Sequence, residues 1–520
     1  MHRLVIALTS LIALVGVAVV GIYLFLGGAA VDRAAALAPA SSAFYVNVYL
    51  QPSAGQQQQL ASVLARLPGF EDTAAIDTKV DELAQNLFSQ AGVDYRASVK
   101  PWLGNQIAVA GSGTLDEAGN PSEMVVIAAV KDEALAGQAI ASIVPDAGAP
   151  TEETYQGLTV RTAGDTTYAI VDGMLVAAET TDVVHAAIDV AQGRGEALAD
   201  LPAFTAAMSQ LPQDHLASAW FDLQAVSATA VGTEEPTDMA GLSTLSMALL
   251  AEEAGFRLVG QLPVDPETMG DAVREALTAG AQAARLPDNM PRDTEISLVL
   301  FNLRAALERT EAELDDQSPD AAATIDQLRA LAAFGLGIDV DSDLLPLLDG
   351  EVGVALRGVA SGTPAGALLL RPTDPAAAAE ALDRVVGALE SRGSAADRAQ
   401  VAGVEVVTVE VPQVGSVSWA VADELVVLGL TADDVGAVLE AQGGDTLGTG
   451  ELYRSTFGGA ERRGTELFVD LNPFIPLAIE QAGEGMPAEM AGILEHLESF
   501  GLTTPTRPDR FEFHATLTIR

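Results

Sequence analysis

Residues 92–94 and 101–110 read GVD and PWLGNQIAVA, and residues 337–339 and 346–355 read GID and PLLDGEVGVA. Each copy opens with glycine, an apolar residue and aspartate, and continues with a proline, an apolar pair, a turn glycine and a strand-like run. Because these features recur in the same order, they predict an internal repeat. The residues that define the motif are Gly92, Asp94, Pro101, Trp102 and Gly104 in the first copy and Gly337, Asp339, Pro346 and Gly350 in the second.

The repeat extends outward from this motif over most of the chain. Three short strand-like segments, 158–162, 168–171 and 174–178, return as 404–409, 417–421 and 425–430. Asp172-Gly173 between two of them is a signal for a tight hairpin. Position 102 is tryptophan in the first copy and the matching position 347 is leucine, so an apolar core residue is what the motif requires.

The pattern predicts an α+β fold, with two tandem homologous domains of mainly antiparallel sheet and helices packed on one face. It excludes a simple strand–helix alternation, so a doubly wound parallel sheet is not expected. The predicted organisation is a transmembrane signal-anchor helix at 1–30, a stalk at 31–42, a first α+β repeat at 43–263, a linker with a helix at 264–292 and a second α+β repeat at 293–520.

The N-terminal segment has no charged residue from Leu4 to Leu26, after His2 and Arg3. This run is long enough to cross a hydrocarbon core of about 30 Å as a helix. The preceding positive charge predicts a single-pass plasma-membrane protein with a cytoplasmic N-terminus and residues 31–520 extracytoplasmic. A cleaved signal peptide ending near 28–30 is the alternative, and a buried core helix is a third interpretation.

Composition excludes several classes of function. The net charge is −45, and lysine occurs only at 79, 100 and 131, so nucleic acid is not an expected partner. The absence of cysteine excludes disulfides, thiol catalysis and thiolate metal sites. The charge itself is most simply a matter of solubility.

No catalytic residue and no cofactor is predicted. The five histidines form no metal-binding or catalytic motif, and no nucleophile elbow or phosphate-binding loop is present. Asp339, Asp341 and Asp343 alternate in a way that could supply oxygen ligands to Ca²⁺, but the glycine of an EF-hand loop is replaced by Leu344. A helix-start or turn role for these aspartates is the alternative.

The chain resembles the bacterial membrane proteins grouped as domain-of-unknown-function family DUF3352. The resemblance rests on the charge-free N-terminal run, the segments 37–39 (LAP) and 44–46 (FYV), the motif from Gly92 to Gly104, and the hairpin that ends at 130–132 (VKD). It implies a single-pass protein with a large extracytoplasmic part, and it assigns no catalytic residue.

These observations favour a non-enzymatic, membrane-anchored protein whose duplicated domain is a binding or scaffolding surface in the cell envelope. Its partners would be the membrane, through the N-terminal helix, and an envelope protein. A carrier of an apolar, lipid-like ligand in the domain interiors is the first alternative. A hydrolase with a dispersed site is the second, and it requires His185 or His215 beside a carboxylate and a hydroxyl.

Overall fold

The computed structural model describes residues 31–68, 70, 81–82, 85, 94–112, 123–143, 150–230, 241–411, 415–458, 460–483, 486 and 488–520. The chain divides into two compact units. The first unit comprises Met1–Arg274 and Asp509–Glu512, and the second comprises Glu275–Pro508 and Phe513–Arg520. Gly92 of the repeat motif and the predicted helix at 1–30 lie outside the described residues.

The first unit contains ten antiparallel strands and five described helices that precede residue 264. The strands are β1 Phe44–Tyr49, β2 Leu103–Gly111, β3 Val125–Val130, β4 Thr151–Tyr155, β5 Leu158–Ala163, β6 Thr166–Val171, β7 Met174–Ala178, β8 Ala217–Asp222, β9 Thr244–Glu252 and β10 Gly255–Pro263. The helices are α1 Ala54–Leu64, α2 Glu133–Ile143, α3 Thr181–Ala191, α4 Pro202–Ser209 and α5 Leu223–Ala230. The α6 helix, Asp271–Gly280, follows.

The strand order of the first unit is β4-β5-β6-β7-β3-β2-β1-β8-β9-β10. Its main core lies between the sheet and helices α3 and α4, where Ile188 and Phe204 are buried. Residues 34, 35, 37 and 38, which precede β1, are buried in the same core. The segment that enters the first strand is therefore part of the packed interior.

The second unit repeats this plan. Its strands are β11 Ile296–Phe301, β12 Glu351–Arg357, β13 Ala365–Arg371, β14 Ala396–Val401, β15 Val404–Val411, β16 Gly415–Ala422, β17 Leu425–Gly429, β18 Glu466–Asp470, β19 Leu497–Thr503, β20 Thr506–Arg507 and β21 Arg510–Ile519. Its helices are α7 Leu303–Gln317, α8 Pro319–Leu331, α9 Pro375–Ser391, α10 Ala432–Ala441, α11 Glu451–Phe457, α12 Ile475–Ala482 and α13 Ala488–Leu494.

The strand order in the second unit is β14-β15-β16-β17-β13-β12-β11-β18-β19-β21. Successive residues of a strand point to opposite faces, and here both faces are buried. Leu369 packs with α10, whereas its neighbour Leu370 packs with α9. Helices therefore cover both faces of this sheet, which differs from the expected single helical face.

Local signals in the sequence account for many element boundaries. Asp172 and Gly173 adopt positive φ angles of 51° and 71°, as the tight turn between β6 and β7 requires. The Asp374 side chain accepts a hydrogen bond from the Ala377 N–H at 3.0 Å and begins α9, with Pro375 in the first turn.

The predicted fold class is wrong in two respects. All 21 strands that the structure describes are assigned to one antiparallel sheet, where two tandem domains were expected and the sequence did not determine whether their sheets join. Alternation in the sequence determines which face a side chain occupies, but it does not determine which strand pairs at an edge. The second respect is the predicted transmembrane helix at 1–30, which lies outside the described residues.

Crossing a membrane takes about 20 apolar residues in one helix. In the described part of the chain, no helix combines the length and the apolar character needed for that. The α9 helix, for example, has 17 residues and includes charged side chains. The predicted single-pass location, with its cytoplasmic N-terminus and extracytoplasmic body, is therefore not supported by any helix of the described residues, and the segment 1–30 lies outside them.

Candidate functional site

The second unit contains a cavity of about 510 Å³. It lies where the carboxyl end of β18 meets α11 and the turn that precedes this helix. Its lining mixes apolar, polar and charged side chains, namely Arg292, Thr294, Leu447, Gly450, Glu451, Leu452, Tyr453, Ser455, Phe468, Asp470 and Glu498.

Two aromatic rings give this cavity its inner wall. Tyr453 of α11 packs edge-on against Phe468 of β18, with ring centroids 5.3 Å apart, and against Phe457 at 4.8 Å. Both Tyr453 and Phe468 are almost completely buried. The helix and the strand are thereby held in fixed positions by the same contacts that line the cavity.

The same place in the first unit is filled by larger side chains. The two units can be matched there because Tyr45 pairs with Trp220 across β1 and β8, as Ser297 pairs with Phe468 across β11 and β18. Leu201 and Gly450 also match, because each ends a short 3-10 turn with similar dihedral angles. Three large residues of the first unit thus correspond to smaller ones in the second: Tyr45 to Ser297, Leu201 to Gly450 and Trp220 to Phe468.

In the first unit, aromatic packing occupies this space. The Phe204 ring lies 5.6 Å from Tyr45 and 5.5 Å from Trp220, in edge-on geometry. A protein interior is close-packed, so a loss of side-chain volume at neighbouring positions leaves space unless the backbone closes over it. The cavity of the second unit lies beside these smaller residues, with Gly450 and Phe468 in its lining. The cavity was not predicted from the sequence, although the size differences are visible when the two repeats are aligned.

Negative charge predominates around the cavity. Glu451 is exposed, and Asp470 and Glu498 are half-buried. The one positive side chain in the lining, Arg292, forms an ion pair with Asp445 at 2.9 Å. Asp470 also accepts hydrogen bonds from the Asn472 backbone N–H at 3.0 Å and side-chain amide at 2.8 Å. The lining therefore has a net negative charge, because its three carboxylates outnumber the single guanidinium of Arg292.

A fully buried carboxylate lies behind the aromatic wall. The Tyr453 hydroxyl donates a short hydrogen bond to Glu466, and the Arg462 Nε donates to the other carboxylate oxygen at 3.4 Å. Burial raises the pKa of Glu466, and the attraction of Arg462 opposes that rise. Burial and the neighbouring Glu466 charge also raise the pKa of Tyr453, so its hydroxyl remains a donor.

A second buried carboxylate, Glu351, acts on Glu466 through space. Glu351 accepts hydrogen bonds from the backbone N–H groups of Arg285 at 2.6 Å and Leu286 at 2.8 Å. Its pKa is raised by burial, against the effect of these two hydrogen bonds and of Arg371, whose Nε lies 3.9 Å away. Neither glutamate was predicted as part of a site: Glu351 lies within the repeat stretch 346–355 without being one of its defining residues, and Glu466 belongs to no chemical motif.

The residues of the repeat motif have structural positions. Asp94 and Asp339 each begin a short π-helical turn and accept backbone hydrogen bonds, from Ala97 at 3.0 Å and from Asp341 at 3.0 Å. Trp102 is buried, and its indole N–H donates to the Ser98 carbonyl at 2.7 Å.

The prolines and glycines of the motif shape the approach to β2 and β12. Pro101 follows the first turn, and Pro346 lies in the 3-10 turn that leads to β12. Gly104 and Gly350 pack against backbone of the neighbouring strand end, where a side chain would collide. Gly337 has a φ of 72°. In each copy, the described motif residues thus lie along the segment that leads into β2 or β12, and they do not converge on a cleft.

The three candidate calcium ligands have separate partners. Asp339 accepts from backbone N–H groups, Asp341 lies 3.3 Å from Arg329, and Asp343 pairs with Arg384 at 2.9 Å. Asp343 also accepts from the Asp339 backbone N–H at 3.0 Å. Across the residues that the structure describes, no group of three histidine, aspartate or glutamate side chains is arranged to hold a metal ion. The turn role predicted as the alternative accounts for the contacts of Asp339.

The two histidines considered for a hydrolase have different surroundings. His185 Nε2 lies 2.8 Å from Glu153, and its ring stacks on Tyr155 at 3.6 Å. The Tyr155 hydroxyl donates instead to Asp189 at 2.9 Å. His215 is bonded through Nδ1 to the Pro212 carbonyl at 2.7 Å, and burial lowers its pKa. A carboxylate therefore reaches His185, but the neighbouring hydroxyl is directed to another partner.

Comparison with solved structures finds TP0453 in several crystal forms. Crystal form III has a TM-score of 0.25 and 11% identity, covering 50% of this chain and 90% of that chain. Crystal form I has a TM-score of 0.26 and 10% identity, covering 49% and 88%. Similarity at this level carries no argument about function.

Among curated proteins, none matches this chain. The family model described as "Protein of unknown function (DUF3352)" matches residues 6–518. That match covers almost the entire sequence and confirms the resemblance seen in the motifs. The chain therefore belongs to the family DUF3352, whose function is unknown.

Proposed function

We propose that this protein is a non-enzymatic binding protein and that the cavity of its second unit binds the cationic group of a ligand. The observation that carries the proposal is the difference between the two repeats. Where the first unit has Tyr45, Leu201 and Trp220, the second has smaller residues and an open cavity. A loss of side-chain volume at one of two matched places, beside a cavity, is what specialisation for binding produces.

Charge defines the class of ligand. Glu451 and Glu498 line the cavity, and the corresponding residues of the first unit are Pro202 and Ser243. Their charges favour a cation, and the net charge of −45 adds a long-range attraction for one. An apolar, lipid-like ligand is less well supported, because it would leave charged groups of the wall without water or a partner.

The cavity volume limits the size of the bound group. About 510 Å³ suits a small organic ligand. Phe468 and Leu447 offer apolar contact for methylene groups, while the carboxylates meet an amine or guanidinium. Two sources of this chemistry fit, a free polyamine or a lysine or arginine side chain of a peptide.

Isothermal titration calorimetry of the full chain tests the proposal, with spermidine and N-acetylarginine amide as separate probes. We expect saturable binding of at least one probe that weakens with added salt. The probe that binds more tightly shows whether the ligand is a polyamine or the side chain of a peptide. Absence of saturable binding for both probes at low salt would contradict the proposal.

A pair of variants locates the site. Glu498→Ser introduces the residue of the first repeat and should weaken binding about threefold to tenfold, through loss of one nearby charge. Asp397→Asn is the matched control, because it removes one exposed negative charge from β14, at the far end of the strand order. Equal weakening by both variants would indicate non-specific attraction to the surface.

A further inference from the structure

Tyr453 connects the cavity to the buried carboxylate behind it. Its ring lines the cavity, and its hydroxyl donates to Glu466. Glu466 has no exposed surface of its own. A charge placed in the cavity is thus separated from the buried Glu466 carboxyl group by the Tyr453 side chain.

The groups that face Glu466 come from several elements and would only partly balance the charge of its ionised form. Arg462 is the nearest cation, but it is shared with Asp288 at 3.4 Å and with the Ala284 carbonyl at 3.5 Å. The remaining titratable or charged groups around the cluster are Tyr453 from α11, Glu351 from β12, Arg371 from β13, Arg285 from the preceding segment, and Asp470, Glu498, Glu451 and Arg292 at the cavity.

Other neighbours of Glu466 offer no charge. Thr503 pairs with Glu466 across β18 and β19, and its buried hydroxyl has no hydrogen-bond partner among the described residues. Val299 pairs with Glu466 across β11 and β18. Burial opposes ionisation of a carboxyl group, whereas a nearby cation favours it. The protonation state of Glu466 is therefore sensitive to an additional positive charge.

We propose that a cation entering the cavity displaces a proton from the buried Glu466 carboxyl group, with Tyr453 as the link between ligand and carboxyl. The inference rests on the proposed function, since it requires a cation in the cavity. In this step the carboxyl O–H bond breaks and the proton passes to solvent. The carboxylate then retains the hydrogen bonds from Tyr453 and Arg462.

Calorimetry in two buffers of different ionisation enthalpy measures this proton. Spermidine is the probe, and the titrations run at matched ionic strength from about pH 5 to about pH 8. We expect wild type to release up to about one proton per bound spermidine within that range, and Glu466→Gln to bind with this release lost. The difference between the two proteins cancels any proton that spermidine itself exchanges.

Tyr453→Phe provides a second, independent variant. It keeps the ring in the wall but removes the hydrogen bond that favours ionised Glu466, so the pH of greatest release should move upward. The inference is overturned, while the proposed function stands, if spermidine binds with no buffer-dependent heat at any pH. It is also overturned if wild type and Glu466→Gln release the same number of protons. Absence of spermidine binding overturns the inference as well.

Discussion

The backbone N–H of Arg285 donates a hydrogen bond to the Glu351 carboxylate at 2.6 Å. In the first unit, the backbone N–H of Arg33 donates to the Gln106 side-chain oxygen at 3.1 Å. In both units, the segment before the first strand is therefore attached to the beginning of a central strand by the same type of contact. The acceptor is charged in one unit and neutral in the other.

This relationship predicts a mild effect of Glu351→Gln. Glutamine keeps an oxygen for the Arg285 N–H and removes a buried charge, so the free energy of unfolding should stay within about 1 kcal/mol of wild type. Glu351→Ala leaves two buried N–H groups without acceptors and should cost about 2–4 kcal/mol. Urea denaturation of the full chain measures the change in free energy of unfolding for both variants. Hydrogen exchange of peptides from the second unit shows where stability is lost. Equal losses for the two variants would contradict the argument.

The reciprocal exchange, Gln106→Glu, should be severe. The Gln106 side-chain amide donates to the Asp32 carboxylate at 2.6 Å and to the Asn47 side-chain oxygen at 2.8 Å. A carboxylate in its place would face Asp32 in a buried site without a compensating cation, at a cost of about 3–5 kcal/mol.

Hydrogen exchange resolved by peptide would detect this loss in the first unit. Gln106→Met is the control, because it has similar volume and introduces no charge. The charge argument fails if the methionine variant is destabilised as much as the glutamate variant.

Much of each unit could be anticipated from the sequence. The hairpin at Asp172-Gly173, the helix start at Asp374-Pro375 and the matched order of elements depend on local chemistry that recurs in both halves. Strands β4 and β14 were not anticipated. Their residues are mostly exposed and polar, so they lack the apolar alternation by which a strand is recognised.

The candidate site could not be assembled from the sequence alone. Ser297 is far from Gly450 and Phe468 in the chain, and only strand register and turn geometry bring their positions together. The roles of the two buried glutamates also could not be predicted from the sequence. Burial is what raises their pKa values, and burial depends on the tertiary structure.

The pH dependence of stability should change in Glu466→Gln. Burial raises the pKa of Glu466 in the folded state. A group with a raised folded-state pKa contributes stability that is present at acidic pH and is lost as pH rises through that pKa. The free energy of unfolding of wild type, relative to the glutamine variant, should therefore fall with rising pH, by at most about 1.4 kcal/mol per pH unit. Urea denaturation at a series of pH values tests this, and a difference that rises with pH would contradict it.

Two glycine-to-alanine variants in the second unit should have opposite effects on stability. A Cβ added to Gly350 would overlap the Arg371 backbone carbonyl oxygen, which cannot move without displacing β13. Gly350→Ala should therefore lower the free energy of unfolding by about 3 kcal/mol. Gly387 lies within α9, and a Cβ there meets nothing within 4 Å. Gly387→Ala should raise the free energy of unfolding by about 0.5–1 kcal/mol, since alanine loses less backbone entropy in a helix. Thermal and urea denaturation of both variants beside wild type give the two signs, and a neutral Gly350→Ala would show that β12 and β13 are not packed as closely as the structure has them.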